Sequence, residues 1–269
     1  MTLPAVMVSH RSASRCPVRD NSDVTQRSTP TRPTTAAVVL ASGAGSRIGS
    51  EINKAYLPLA GRPLVTRSLE MLATLADTAV LVLVTRSDDA EHVETALAAT
   101  NTPLPIEIIT GGSDRQESEL FALRHLRARV ETGSIDTVLL HDAARPLATA
   151  ELSGEVVRLA RVHGGAVPGM ECGGLAVASS DGEYLEQPLT MRTVRAQTPQ
   201  GFRATELCHA YEAAALAGFS GTDTASCVER FSDLSVHWVP GEPDNIKITY
   251  WEDVRAAERI LARKPPDRV

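Results

Sequence analysis

The stretch from Ala36 to Lys54, AAVVLASGAGSRIGSEINK, constrains the fold more than any other part of the sequence. Ala37 to Leu40 is a short run rich in β-branched residues, which suits a strand buried on both faces of a parallel sheet. The run breaks into Ala41, Ser42, Gly43, Ala44 and Gly45. These are small enough for the backbone to approach a triphosphate closely and aim its N–H groups at the oxygens. Arg47 and Lys54 add positive charge.

Two plainer readings stand beside this one: a tight turn with incidental surface cations, and a dinucleotide-binding loop. The second wants GxGxxG opening a helix and an acidic residue about twenty residues further on. Here Gly43 and Gly45 are followed by Gly49, one position late, and the next convincing strand ends in Thr85 and Arg86. No GKS or GKT follows, so the loop is no P-loop. Small residues, Gly-x-Gly, Ser, Arg and a later Lys fit a nucleotidyltransferase loop.

With 269 residues, 43% hydrophobic and 22% charged, the chain has the composition of an α/β domain with a substantial core. A net charge of -6 argues against nucleic acid as the main partner, because a phosphate backbone needs a basic face. Cys16, Cys172, Cys208 and Cys227 show neither CxxC nor CxxH spacing, so no zinc site or disulfide framework is indicated and a reducing cytoplasm is expected. No window is long and apolar enough to span a bilayer.

Residues 1 to 35 are rich in Ser, Thr, Pro and Arg without apolar periodicity, which predicts a disordered extension. It lacks the apolar region of a secretory signal; its Arg- and Ser-rich character leaves an organelle transit peptide open. From residue 36 to about 265 strands and helices alternate. Helices are expected at Pro63 to Ala76, Ser87 to Ala99 with Ser87 as cap, Ser113 to Val130, Ala150 to Val162, Ala204 to Ala217, Thr224 to Phe231 and Trp251 to Ala262. Strands are expected at Ala79 to Val84, Ile106 to Ile109, Thr137 to Leu140, Ala166 to Val167 and Ser235 to Val239, with Asn245 to Thr249 strand-like. This order predicts a doubly wound, mostly parallel sheet whose ligands bind at the carboxyl ends of the strands. Between about Met170 and Arg195, short strand-like runs flank Ser180, Asp181 and Gly182 and predict a projecting β-hairpin, which invites dimerisation.

Three further segments carry chemistry. HDAARP, His141 to Pro146, follows a buried strand, so Asp142 could hold Mg²⁺ against a triphosphate with Arg145 beside it. A turn or N-cap role is the ordinary reading of such an Asp. His141 is expected to be a buried structural donor. In GGSDRQES, Gly112 and Ser118 are placed to meet a base edge or a ribose, and Arg115 to pair with a carboxylate. Thr222 and Asp223 read as a helix N-terminus able to receive an anion. Lys247 is either a site residue or a solvated edge lysine.

LASGAGSR with Lys54, GGSDRxxS, LLHDAARP, AQTPQGF, TDTAS and NIKIT occur in the order and at nearly the spacing of the 2-C-methyl-D-erythritol 4-phosphate cytidylyltransferases, which the chain resembles from Ala36 to about Leu261. HDAAR is shared with the related ribitol-5-phosphate cytidylyltransferases. The resemblance implies a Rossmann-like α/β fold, a homodimer exchanging β-arms, and transfer of CMP from CTP to a phosphorylated polyol with release of pyrophosphate. It also implies that Arg47 and Lys54 stabilise the transition state, that Asp142 binds Mg²⁺, and that Gly112 and Ser118 hold the cytidine. Arg145, Thr222 and Lys247 would line the polyol phosphate and α-phosphate, with Thr198 contributing from the arm region.

The chain departs from that family at several places. Asn53 stands where proline usually precedes the loop lysine, read as a loss of stiffness only, and Ser113 where an Asp often touches the cytosine. Glu171 and Cys172 replace an Asp-Thr pair of the arm, and Thr190 an arginine. Arg192, two residues away on the same side of a strand, is the expected replacement for that arginine. Methylerythritol phosphate is the expected acceptor; ribitol phosphate, another polyol phosphate, or a CTP-binding protein without turnover are the alternatives.

Overall fold

The computed structural model describes residues 32–43, 52–173, 176–179, 181, 183, 185–188, 192–221 and 224–263. Ala44, Gly45, Arg47, Thr190, Thr222, Asp223 and the expected extension as far as residue 31 lie outside the described residues. In chain order, β1 (Thr35–Leu40) is followed by a small ribbon of β2 (Pro58–Leu59) and β3 (Arg62–Pro63), then α1 (Leu64–Ala73), β4 (Thr78–Thr85), α2 (Ala90–Ala98) and β5 (Ile106–Thr110). Next come α3 (Arg115–Glu131), β6 (Thr137–Asp142), α4 (Ala150–His163), β7 (Gly164–Cys172), β8 (Ala176–Ala178), β9 (Leu185–Pro188) and β10 (Thr193–Ala196). The chain closes with β11 (Gln200–Arg203), α5 (Ala204–Leu216), α6 (Thr224–Phe231), β12 (Ser235–Pro240) and α7 (Trp251–Arg263).

β1 lies inside the main sheet, parallel to β4 on one side and to β6 on the other, with Val38 opposite Val82 and Leu140. Its small apolar residues suit that place, because successive side chains point to opposite faces and both faces are covered. Ala37 and Val39 join Leu81, Leu83 and Leu139 beneath α1, α2 and α4. Ala36 and Val38 join Val82, Val84, Val138 and Leu140 beneath α3, α5 and α6. Two helix layers on one sheet make the doubly wound α/β fold expected from the alternation. A third cluster seats α7 on the ribbon through Leu57, Leu59, Leu64, Ile248, Val254 and Ile260. Ala60 and Gly61, both at positive φ, turn that ribbon, as a two-residue hairpin requires.

The sheet is mixed beyond β6. β11 pairs antiparallel with β6, and also with β7 at Gly165 and Ala166. β10 pairs antiparallel with β7 at Gly169 to Cys172, while β12 runs parallel to β7 along Gly164 to Gly169. β8 and β9 form a separate antiparallel pair, so the expected hairpin is present as a long stem carrying a short tip.

Four details differ from the sequence reading. β11 has no counterpart there; its residues were visible only as the motif AQTPQGF. The segment Asn245 to Thr249 forms no strand, because Ile248 plugs into the α7 cluster and its N–H donates to the Ala144 carbonyl. α2 begins at Ala90 after a 3-10 turn, and Ser87 bonds Asp88 instead of capping the helix. Asp114, not Ser113, caps α3, its side chain accepting from the Glu117 N–H.

Candidate active site

The carboxyl ends of β1, β4, β5 and β6 open into one cavity of about 490 Å³, of the size that small-ligand sites have. Ala41, Ser42 and Gly43 come from the loop after β1, Arg86 from the end of β4, and Gly112, Arg115 and Ser118 from the β5–α3 junction. Asp142 comes from β6, and Lys54 and Lys247 from loops. Although the whole chain is acidic, four cations among the described residues, Lys54, Arg86, Arg115 and Lys247, border this space.

On one side, two loops are joined by hydroxyls. Ser118 Oγ donates to the Asp114 carbonyl at 2.7 Å and accepts the Gly112 N–H at 3.0 Å. Its single proton is thereby committed, so Ser42 Oγ is the donor in the 2.8 Å contact between the two serines. A side chain at Gly111 would not fit: its Cβ would lie 2.6 Å from Ser42 Cβ and 2.8 Å from Ser118 Oγ.

On the other side stands Asp142. Lys247 Nζ is 2.7 Å from its Oδ2, and Arg115 bonds its Oδ1. Burial pushes the Asp142 carboxyl up, but these two cations outweigh burial and hold it well below the usual carboxylate range. Arg115 is shared with buried Glu119, which also accepts Thr224 Oγ1 at 2.9 Å and the Tyr211 hydroxyl. Arg115 therefore pairs with carboxylates, as the sequence suggests.

Behind Asp142, its own N–H donates to Thr198 Oγ1 at 3.0 Å, so the threonine proton points to His141 Nδ1 at 3.1 Å. That leaves Nε2–H to donate to the Arg145 carbonyl at 3.2 Å. Burial pushes His141 down to about 4, so the imidazole is a neutral structural donor at neutral pH.

Lys54 opens a 3-10 turn, Lys54–Tyr56, capped by the buried side chain of Asn53. Asn53 Nδ2 donates to the Ala41 carbonyl at 2.6 Å and to Asp89 Oδ2 at 2.7 Å, and its Oδ1 accepts the Ala55 N–H at 3.1 Å. Asp89 holds Arg86 as a fork, with Nε at 3.0 Å and Nη2 at 2.6 Å.

The structure thus gathers Ala41, Ser42, Gly43, Lys54, Gly112, Ser118, Asp142 and Lys247 around one space. Lys247 arrives from a loop and not from a strand. Thr198 stands behind Asp142. Arg145 is buried and spends its guanidinium on the carbonyls of Asn245 at 2.7 Å and Ala196 at 3.1 Å, outside the cavity wall. Arg192 is exposed, pairs with Glu171 at 2.8 Å and lies over the Trp238 ring at 5.3 Å, also away from the cavity within this chain. Sequence reasoning missed Arg86, although a cation ending a central strand falls where ligands bind. The anchoring role of Asn53 gave no local signal.

Residues 35–263 match the family described as IspD, 2-C-methyl-D-erythritol 4-phosphate cytidylyltransferase. The chain is 34% identical to the 2-C-methyl-D-erythritol 4-phosphate cytidylyltransferase of Geobacillus kaustophilus over 85% of its length and 97% of that protein's. It is 33% identical to that of Geobacter metallireducens over 86% and 98%. Among solved structures, the 4-diphosphocytidyl-2C-methyl-D-erythritol synthase of Anaerococcus prevotii shares the fold at a TM-score of 0.73 and 24% identity, covering 86% of this chain and 96% of that one. The 2-C-methyl-D-erythritol 4-phosphate cytidylyltransferase of Thermus thermophilus superposes at 0.62 with 26% identity, covering 85% and 99%.

Proposed function

This chain belongs to the 2-C-methyl-D-erythritol 4-phosphate cytidylyltransferase family, and from that membership we propose that it transfers CMP from CTP to 2-C-methyl-D-erythritol 4-phosphate, releasing pyrophosphate, as a step of isoprenoid precursor synthesis. The observation that carries the reading is the cation-lined cavity at the strand ends, with the Asp142 carboxylate, held ionised by Lys247 and Arg115, set in its wall.

The acceptor's phosphate oxygen attacks the α-phosphorus of CTP. The new O–P bond forms as the bond to the β-phosphate oxygen breaks, and pyrophosphate carries away the electron pair. No protein nucleophile is required, so this chain contributes position and charge. Ser42, Gly112 and Ser118 receive the cytidine. Lys54 would face the phosphates, a role that the family resemblance also gives to Arg47, and Lys247 would take up charge near the α-phosphate.

A divalent cation fits the donor set, since Mg²⁺ takes one or two carboxylates plus phosphate oxygens and waters. Asp142 would hold it, with Lys247 giving up Oδ2. When bound, the cation would neutralise the triphosphate and polarise the α-phosphorus.

The arm supports a homodimer: Val194 on its stem and Trp238 on the adjoining β12 are exposed apolar surface that a second copy would cover. Arg192 would reach the acceptor phosphate in that assembly, and the family resemblance gives Thr222 a place beside the same phosphate. No helix of the described residues is long and apolar enough to cross a membrane, and the cytoplasm is the proposed compartment.

Pyrophosphate release is measured with CTP, Mg²⁺ and either methylerythritol phosphate or ribitol phosphate. Release with the first acceptor is expected. CTP binding without release for either acceptor overturns the function, and sedimentation equilibrium showing a monomer at micromolar concentration overturns the dimer.

A further inference from the structure

Asn53 is almost fully buried, at 1% exposure, and uses both ends of its amide in three directions. One bond goes to the carbonyl of Ala41, whose own N–H is fixed to Val84 of β4 at 2.7 Å. The second goes to Asp89, which is itself held by the Arg86 fork. The third closes the turn that begins with Lys54. The same turn is tied again to the end of β4, where the Tyr56 hydroxyl meets Thr85 Oγ1 at 2.6 Å. Lys54 therefore has its backbone registered against the first residue after β1, next to Ser42 and its link to Ser118. A proline before the lysine would stiffen the chain locally but has no N–H to offer. A buried amide instead fastens the turn to two other elements.

We infer that Asn53 is a positioning residue for Lys54, working against the Asp89–Arg86 ion pair as its anchor; this rests on the function proposed above. Its side chain sets the place from which the lysine ammonium meets the triphosphate. Removing it leaves the Ala41 carbonyl and the Ala55 N–H without their side-chain partner, and leaves Asp89 Oδ2 to Arg86 Nε alone, all among buried residues. An asparagine with a merely structural part would lower activity to the same degree whether or not the lysine were there.

The test is a double-mutant cycle on the full chain, Asn53→Ala and Lys54→Ala singly and together, read by steady-state pyrophosphate release and by titration calorimetry with CTP. Asn53→Ala alone is expected to lower kcat by about ten- to a hundredfold. In the Lys54→Ala background the same substitution should change it by less than about twofold, the mark of two coupled residues. Equal losses in the two backgrounds overturn the inference. If Asn53→Ala does not fold, Asn53→Asp replaces it. That change sets a carboxylate against Asp89, and Asp89→Asn in the same chain reverses the direction of that one hydrogen bond. Partial recovery of activity is expected, and no recovery overturns the inference. Calorimetry needs no turnover, so a parent chain that releases no pyrophosphate counts against the proposed function and leaves the coupling between Asn53 and Lys54 measurable.

Discussion

Lys247 Nζ sits 2.7 Å from Asp142 Oδ2, so a loop lysine occupies one oxygen of the strand-end carboxylate while Arg115 occupies the other. In the proposed reaction this lysine must exchange a carboxylate for a phosphate oxygen. Lys247→Ala is expected to lower kcat by roughly 10²- to 10³-fold, the effect of losing one preorganised donor. Steady-state kinetics with saturating CTP give the answer, and an unchanged kcat removes Lys247 from the mechanism.

Asp142→Asn tests the cation. The amide keeps the shape but not the charge, and the Mg²⁺ concentration for half-maximal rate should rise by at least about tenfold. A titration of rate against Mg²⁺ that superimposes on the parent curve would place the cation elsewhere.

Gly111→Ala puts a methyl group where Ser42 and Ser118 already stand, 2.6 and 2.8 Å away. The two loops must part to admit it. Stability should fall by about 1 to 3 kcal/mol. If the serine pair orders the cytidine side of the site, the KM for CTP should rise with it, by roughly tenfold. Urea denaturation and CTP kinetics on one preparation check both.

Glu119 is a buried carboxylate shared among Arg115, Tyr211 and Thr224. Glu119→Ala takes one of two carboxylates from the half-buried Arg115 guanidinium and leaves the Tyr211 and Thr224 hydroxyls without their acceptor, which together should cost about 3 to 5 kcal/mol. Tyr211→Phe removes a single donor and should cost about 1 to 3 kcal/mol. Urea midpoints with unchanged slope give the comparison. Equal losses for the two variants would show that the arginine pair is not the dominant contact.

Asp89 gives a pH dependence with a definite sign. Burial pushes its carboxyl up, but the hydrogen bonds from Arg86 and Asn53 outweigh burial and hold it below the ordinary value. A depressed carboxylate contributes stability that is fully present above the unfolded value of about 3.9. That contribution is lost as pH falls through the folded value. Melting temperatures measured downward from pH 6 should therefore converge for the parent and Asp89→Asn, with the parent higher at the start. A constant gap down to pH 2.5 contradicts the assignment.

The strands were legible where their chemistry was local. β1 and β6 are apolar runs; β1 gives way to Ser42 and Gly43, while β6 runs two residues past its apolar part, through the buried His141 and Asp142 that pair with Val39 and Leu40. The segment around Lys247 misled because Ile246 and Ile248 alternate as a strand would, although Ile248 is drawn into a cluster that only the folded chain assembles. β11 escaped because four residues including a glycine carry little propensity, and their place between β6 and β7 is settled by pairing. Among the site residues, Gly112, Ser118 and Asp142 follow from strand ends. Asn53 does not, since its partner Asp89 reaches it only through the β1–β4 pairing.

The cluster of Leu57, Leu59, Ile248, Val254 and Ile260 has a bearing on how the gene can be cut. Leu57 follows the turn that carries Lys54, and Ile248 adjoins Lys247, so one small patch of side chains from α7 underpins both lysines. A terminal helix of this kind invites trimming in expression work, because α7 leaves the main sheet intact. Deleting it would strip the footing from two cations at once and bare the buried side chains of Leu57, Leu59, Leu64 and Ile248. A chain shortened at α7 would therefore lose activity through Lys54 and Lys247 although neither residue had been changed.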